Sequence, residues 1–273
     1  MRRFLLLSLT MTLFVGSAAA QNTDMKLMRE ALAPTGTLRA VFLATNPVQG
    51  IPNPKTGEVT GPAADITREL ARKLGVPFSI NGLDGVPAVM EAVNKRTADI
   101  GFLAADPTRA VQVNFTEAYS IGHNTYMVRR DSSIQNIADA DRAGVKIGVA
   151  AGDAVDLYLS RTLKQAQIVR PANRTMEEAV RLLTSGEIDA FAANKQRLTE
   201  AAAHAPNVRL VPGSVLPVQQ SIVVGKENTA GVTMLNRFID EARDSGFLRD
   251  VIERAKLAGV EVAPKELPGR NPN

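Results

Sequence analysis

Two stretches of this 273-residue chain recur at almost the same separation. GPAADI at 61–66 returns as GDAVDL at 152–157, an offset of 91, and VNKRTAD at 93–99 returns as LTSGEID at 183–189, an offset of 90. Two motifs shifted by nearly one distance point to a duplicated unit. The first copy runs over about 37–115 and reads strand, helix, strand, helix, strand. Thr37–Leu43 (TLRAVFL) is a strand, and the proline- and glycine-rich Asn46–Thr60 is a loop lining something. Pro62–Leu74 is a helix with Ile66, Leu70, Ala71 and Leu74 on one face and Gly75 as its stop. Val76–Ile80, Pro87–Lys95 and Ala98–Leu103 follow as strand, helix and strand. The second copy starts at the strand GVKIGVAA from Gly144 and continues through helices at Asp156–Leu163 and Met176–Thr184 to a strand at Ile188–Ala192. Strands alternating with helices give parallel sheets, so the fold class is α/β with two duplicated βαβαβ lobes.

Asn124–Arg130 (NTYMVRR) lies between the copies and Ser221–Gly225 (SIVVG) after the second. Both are short and β-rich, and they are read as two crossing strands lying against neither lobe's core. Lobe one is then 37–125 with 222–262, and lobe two is 126–221. Helices Val232–Arg243 and Phe247–Leu257 cover lobe one. Residues 21–36 form a polar, loosely docked leader, and 263–273, with three prolines, a flexible tail.

Residues 1–20 combine Arg2 and Arg3, an apolar run Phe4–Val15 and a small-residue end at Ser17–Ala20. This is the pattern of a cleaved secretory signal, and the run is shorter than the ~18 residues a membrane span needs. The segment holds two of the 32 basic residues and none of the 28 acidic ones, so its removal reduces the net charge from +4 to +2. Such an excess creates no field for nucleic acid or membrane. With 0 cysteines, disulfides, thiolate nucleophiles and zinc–thiolate sites are excluded. His123 and His204 have no second metal-type ligand at helical spacing, and no metalloprotease, phosphate-loop or hydrolase-elbow motif occurs. No metal or cofactor is expected.

Within the first copy, the buried strand ends where Asp106, Pro107 and Thr108 turn the chain, which places Arg109 at a strand's carboxyl end. The crevice beyond such ends is where open α/β sheets hold ligands, and a guanidinium there is a two-pronged donor for a carboxylate. For an arbitrary arginine the alternative is a surface ion pair, with Glu117 or Asp106.

The ordered set G-x-x-x-D-I/L (Gly61–Ile66), L-G-V-x-F (Leu74–Phe78), T-A-D-I with P-x-R and its V-x-F-x-x-x-Y sequel (Thr97–Tyr119), G-V-x-I-G-V-x-x-G (Gly144–Gly152) and G-x-I-D-A (Gly186–Ala190) resembles the periplasmic solute-binding proteins of family 3. The resemblance covers most of the mature chain. It implies the type II periplasmic-binding-protein fold, a small carboxylate-bearing solute such as an amino acid or related organic acid, an inner-membrane ABC permease as partner, a periplasmic location and a monomer. Arg109 matches the family's carboxylate-holding arginine. Ala104 and Asp106 fall where hydroxyl side chains often assist it. Gly152 and Asp153 fall where Ser or Thr commonly presents a hydroxyl and a backbone N–H. Asn194 falls where an aspartate usually binds the α-ammonium.

The departures bear on the ligand. Asn194 removes a charge that would pair with an ammonium, and a buried unpaired ammonium costs several kcal/mol. Asp153 either restores that carboxylate from the far side of the cleft or caps the following helix. Gly85 stands where an aromatic often precedes the Pro87 helix, Thr45–Gln49 has no Phe or Tyr, and the chain has no Trp. The pocket is expected to be roomy or polar, with Phe102, Tyr119, Tyr126 and Phe191 in the cores. Two other functions fit the same scaffold. One is a cyclohexadienyl dehydratase-like enzyme in which Asp153 or Asp106 serves as acid near Arg109. The other is a sensor or cofactor-carrying binding protein.

Overall fold

A computed structural model of the protein describes residues 24–265; residues 1–23, which include the signal expected at 1–20, and the tail beyond 265 lie outside the described residues. The first half runs through a helix over 24–32 (α1), β1 (Leu38–Leu43), the two-residue strands β2 (Ile51–Pro52) and β3 (Val59–Thr60), α2 (Pro62–Leu74) and β4 (Phe78–Leu83). It continues with α3 (Val86–Asn94), β5 (Ile100–Ala104), the single turn α4 (Pro107–Ala110) and β6 (Val113–Arg129). The second half has β7 (Lys146–Val149), α5 (Ala154–Thr162), β8 (Gln167–Val169), α6 (Met176–Thr184), β9 (Ala190–Asn194) and α7 (Lys195–Ala203). The chain returns through β10 (Val208–Leu210), β11 (Leu216–Gly225), α8 (Thr229–Asp244), α9 (Phe247–Ala255) and β12 (Val260–Val262).

The strands join in the order β4-β1-β5-β11-β6-β9-β7-β8, with β10 and β12 also pairing with β6. Each end of this path repeats one design. In lobe one β1 lies parallel between β4 and β5, and in lobe two β7 lies parallel between β8 and β9. The duplicated aspartates make the same bonds in both. Asp99 accepts the Arg39 N–H at 2.8 Å and donates its own N–H to the Arg39 carbonyl at 2.8 Å. Asp189 does the same with Lys146, at 2.8 and 2.9 Å. One carboxylate in each lobe thus ties the start of the third strand to the start of the first.

Local sequence explains the helices that flank these sheets. Pro62 opens α2 after Gly61 at φ 103°, and Gly75 at φ 64° ends it in the left-handed region that glycine tolerates. The buried face Ile66, Leu70, Ala71 and Leu74 belongs to the lobe-one core, which also holds Phe42, Phe102 and Tyr119. Phe102 and Tyr119 meet edge to face, with centroids 5.9 Å apart. Lobe two has two clusters, one containing Tyr126, Ile147 and Val149 and the other Met127, Leu183 and Phe191. All four aromatics expected in the cores are buried.

Three expectations differ from what the structure shows. Residues 21–36 are not loosely docked from 24 onward: α1 seats Leu32, fully buried, in the lobe-one core together with Met25 and Met28. The crossing segments do touch the cores, because Tyr126, Met127 and Val128 are buried in lobe two and Ile222 and Val224 in lobe one. They are ends of longer strands, 17 residues in β6 and 10 in β11, which pair antiparallel through both lobes. Their register shifts around Gln220 and Ser221, between the two cores. The tail also begins anchored, since Ala263 is buried and its N–H bonds to the Tyr119 carbonyl at 3.3 Å.

Candidate ligand-binding cleft

Loops at the carboxyl ends of β1, β5, β7 and β9 converge on a cavity of about 60 Å³ between the lobes. Its floor is the β6–β11 pair, where Gly122 stands opposite Val218 and Asn124 opposite Leu216. Lobe one adds Asn46, Gln49, Ala104 and Arg109, and lobe two adds Asp153, Asn194 and Arg197.

Arg109 is placed by the turn after β5. Asp106 caps α4, accepting the Thr108 N–H at 2.8 Å, and that turn swings Arg109 inward until it is 6% exposed. Its Nη1 donates to the Ala104 carbonyl at 2.9 Å in its own lobe, and its Nη2 donates to the Gly152 carbonyl at 3.0 Å in the other. One guanidinium therefore bridges the cleft. Burial works against its charge and outweighs the opposing carboxylates of Asp106 and Asp153. Arg109 is thus a cation with little solvent and, among the described residues, no hydrogen-bonded carboxylate, although Asp106 and Asp153 act on it at longer range.

Asp153 stands at the N-terminus of α5, but its side chain makes no capping bond there. It points into the cavity, with a carboxylate oxygen 3.8 Å from Arg197 Nη1. Burial pushes its pKa up, against the pull of Arg197, Arg109 and Arg174. The loop before it is locked by Asp156, which accepts the Gly152 N–H at 2.8 Å and is held by Arg170 Nε at 3.0 Å. Burial tends to raise the Asp156 carboxyl, but those bonds and one from Ser160 hold it below its ordinary value. This lock presents the Gly152 carbonyl to Arg109.

Of the sequence-predicted residues, Arg109, Ala104, Asp153 and Asn194 line the cavity together. Gly152 is not part of that lining but touches Arg109 through its carbonyl. Asp106 is outside it: its carboxylate is taken by Thr108 and by Arg161 of lobe two, 3.5 Å away. Asn194 spends its Oδ1 on the Arg197 N–H at 3.2 Å, which starts α7, and its Nδ2 faces Asn46 Oδ1 at 3.5 Å across the cleft.

Arg197, Gln49 and Gln220 escaped the sequence reading. Arg197 sits three residues past Asn194 in a helix that the sequence did not announce, and a side chain in the first turn after a strand's carboxyl end faces the same crevice as the cap. Gln49 is fully buried, accepting the Leu43 N–H at 3.1 Å and donating to Gln220 Oε1 at 3.0 Å. Two glutamines among apolar strand and proline-rich loop residues were the available signal. Among the described residues no cluster of three or more His, Asp or Glu could hold a metal ion, and no helix is long and apolar enough to cross a membrane.

Two α/β lobes of duplicated plan, sharing two long strands and bridged by an arginine over a polar cavity, define a solute-binding protein of the type II periplasmic binding fold. The chain belongs to the bacterial extracellular solute-binding proteins, family 3, whose family model matches residues 38–255. It is 25% identical over 172 residues to a glutamine-binding protein of Geobacillus stearothermophilus, a match covering 59% of this chain and 62% of that protein. Among solved structures, a putative binding component of an ABC transporter from Wolinella succinogenes, complexed with lysine, superposes with a TM-score of 0.68 at 19% identity, over 80% of this chain and 95% of that one. The ancestral amino acid-binding protein AncCDT-1, described as a precursor of cyclohexadienyl dehydratase, superposes with 0.67 at 23% identity, over 83% and 97%.

Proposed function

We propose that this chain captures a small carboxylate-bearing solute of the amino-acid type in the cleft around Arg109 and presents it, closed, to an inner-membrane ABC permease. The carrying observation is the Arg109 guanidinium, buried, reaching both lobes and, among the described residues, lacking a hydrogen-bonded carboxylate. A ligand carboxylate supplies that partner, and exclusion of water on closure strengthens the pair. Asp153 or a neighbouring amide receives the ligand's ammonium. Ala104 and Gly152 fix the guanidinium through their carbonyls, Asp106 sets the turn that carries it, and Asn194 positions the start of α7. The protein acts as a periplasmic monomer, without metal or cofactor, and bends its two shared strands to close. Family membership and the amino-acid-binding relatives support this reading, as does the basic start of residues 1–20.

The experiment is a thermal-shift screen of refolded, ligand-stripped protein against amino acids, their hydroxy and keto analogues and other small acids. A ligand at 100 times its Kd adds about 2.7 kcal/mol. An upward shift with carboxylate-bearing solutes is expected, and it should disappear in Arg109→Ala. A flat response across every acid would overturn the reading. Turnover of arogenate or prephenate by pure protein would replace it with the dehydratase, for which the upward-shifted Asp153 is the available acid.

A further inference from the structure

We propose that Arg197 receives a second acidic group of the ligand, so that the cleft takes an amino acid with an acidic side chain: two carboxylates, one ammonium, net charge −1. The proposal rests on the cleft reading of Arg109 given above and names the substrate class of that site.

The first argument is the charge of the cavity wall. Its ionisable side chains are Arg109, Arg197 and Asp153, two cations and one anion. A zwitterionic ligand does nothing to offset that excess in a place where burial already opposes the charge on Arg109; Asp106, outside the lining, acts on Arg109 only at longer range and is itself paired with Arg161. A ligand of net charge −1 neutralises it. Glu177 and Glu200 stand nearby, lining an outer space that Arg197 also faces, but both are exposed, where water and salt screen them.

The second argument is the donors and acceptors left over. Arg197 Nη2 donates to the Arg174 carbonyl at 3.3 Å, and Nη1 stands 3.8 Å from Asp153, beyond hydrogen-bond reach. The rest of its fork meets no acceptor among the described residues, yet the side chain is only 18% exposed. That is the geometry of a guanidinium prepared for a planar anion. The Asp153 carboxylate likewise accepts no hydrogen bond among the described residues and does not cap α5. When a ligand displaces water from it, Asp153 calls for a donor, which an ammonium supplies and a plain dicarboxylate does not.

The third argument is placement. Arg109 approaches from lobe one, while Arg197 and Asp153 approach from lobe two, and Asp153 feels the field of both arginines. A ligand with carboxylates at its two ends and an ammonium between meets all three groups as the lobes close.

The test is calorimetric titration of ligand-stripped protein with L-glutamate and L-aspartate, their amides L-glutamine and L-asparagine, L-lysine, and glutarate, which has two carboxylates and no ammonium. The better acidic amino acid should bind at least about 30-fold more tightly than its amide, the lower end of what removing one partner of a buried charge pair costs. It should also exceed lysine and glutarate. In Arg197→Gln the acid-to-amide preference should shrink to within about threefold, and Arg197→Lys, which keeps the charge without the fork, should lie between. Circular dichroism of both variants checks that they fold, and the wild-type preference stands as a test if they do not. Equal binding of acid and amide, or tighter lysine, overturns this proposal and leaves the Arg109 reading intact. Glutarate equal to glutamate overturns the pairing of an ammonium with Asp153. Silence from every amino acid removes both readings.

Discussion

At the residue scale, Arg109 has two duties that one substitution separates. Its Nη1 holds the Ala104 carbonyl and its Nη2 the Gly152 carbonyl, so Arg109→Ala loses structural bonds as well as a ligand contact. Titration should find no measurable binding of any acid, while denaturant unfolding of the ligand-free variant shows a loss of about 1–2 kcal/mol, the usual cost of abandoning a buried acceptor. Unchanged affinity would remove Arg109 from the site. The second prediction concerns Asp153. Burial raises its carboxyl above the ordinary value of 3.8, so its ionised form costs stability once pH rises past that value, and the cost vanishes as pH falls below it. Asp153→Asn should therefore raise the melting temperature of ligand-free protein near neutral pH, with the gain fading under acid. Because the Asp153 side chain is 36% exposed, water screening limits this gain to below about 1 kcal/mol. A melting gain that persists in acid would mean that burial of charge is not its cause. The placement of Arg109 was legible in the sequence because it follows a buried strand and a recognisable turn, whereas Asp153 was reached through the family resemblance, with cleft and helix cap both open until the structure showed no capping bond. Arg197 was not, because nothing in KQRLTEAAA says which face of its helix meets the cleft.

At the element scale, the strand–helix alternation and the repeat carried most of the fold. The duplicated aspartates proved to make equivalent bonds, which explains why their spacing is kept while the residues around them vary. The length of β6 was illegible for a physical reason: its burial is set by four strands that arrive much later in the chain, β9, β10, β11 and β12. The docking of α1 depends in the same way on partners distant in sequence. Glycine at the end of β11 shows how tightly one element can be fitted. A Cβ on Gly225 would stand 2.7 Å from the Val93 carbonyl oxygen near the end of α3. That atom is backbone and cannot rotate away, so Gly225→Ala must shift α3 against the sheet. Overpacking of this kind costs about 1–3 kcal/mol, readable as a lower midpoint in urea at unchanged slope. A variant as stable as the parent would show that α3 slides without penalty.

At the scale of the whole molecule, the lobes are held together by contacts that do not need ligand. Besides Arg109, Arg161 of lobe two reaches Asp106 of lobe one at 3.5 Å, and Asn194 faces Asn46. The Asp106 carboxyl, which burial would raise, is brought below its ordinary value by Thr108, Arg109 and Arg161, so it stays charged in the working range. Arg161 does not line the cleft cavity, and its side chain is 51% exposed. Its pair with Asp106 therefore contributes at most about 1 kcal/mol. That is still enough to move a balanced open–closed equilibrium, since 1.4 kcal/mol is a factor of ten in population. Arg161→Ala should open the ligand-free protein without touching the ligand, so affinity falls by no more than about fivefold while the bound complex closes as before. The chain has 0 cysteines, so one cysteine introduced on each lobe's outer surface takes a dye pair unambiguously. Energy transfer between the dyes should drop in ligand-free Arg161→Ala and recover to the parent's value on saturation. Transfer equal to the parent's in the ligand-free state would mean that the pair of Arg161 with Asp106 carries none of the closure, leaving it to the other contacts between the lobes, Arg109 with the Gly152 carbonyl among them.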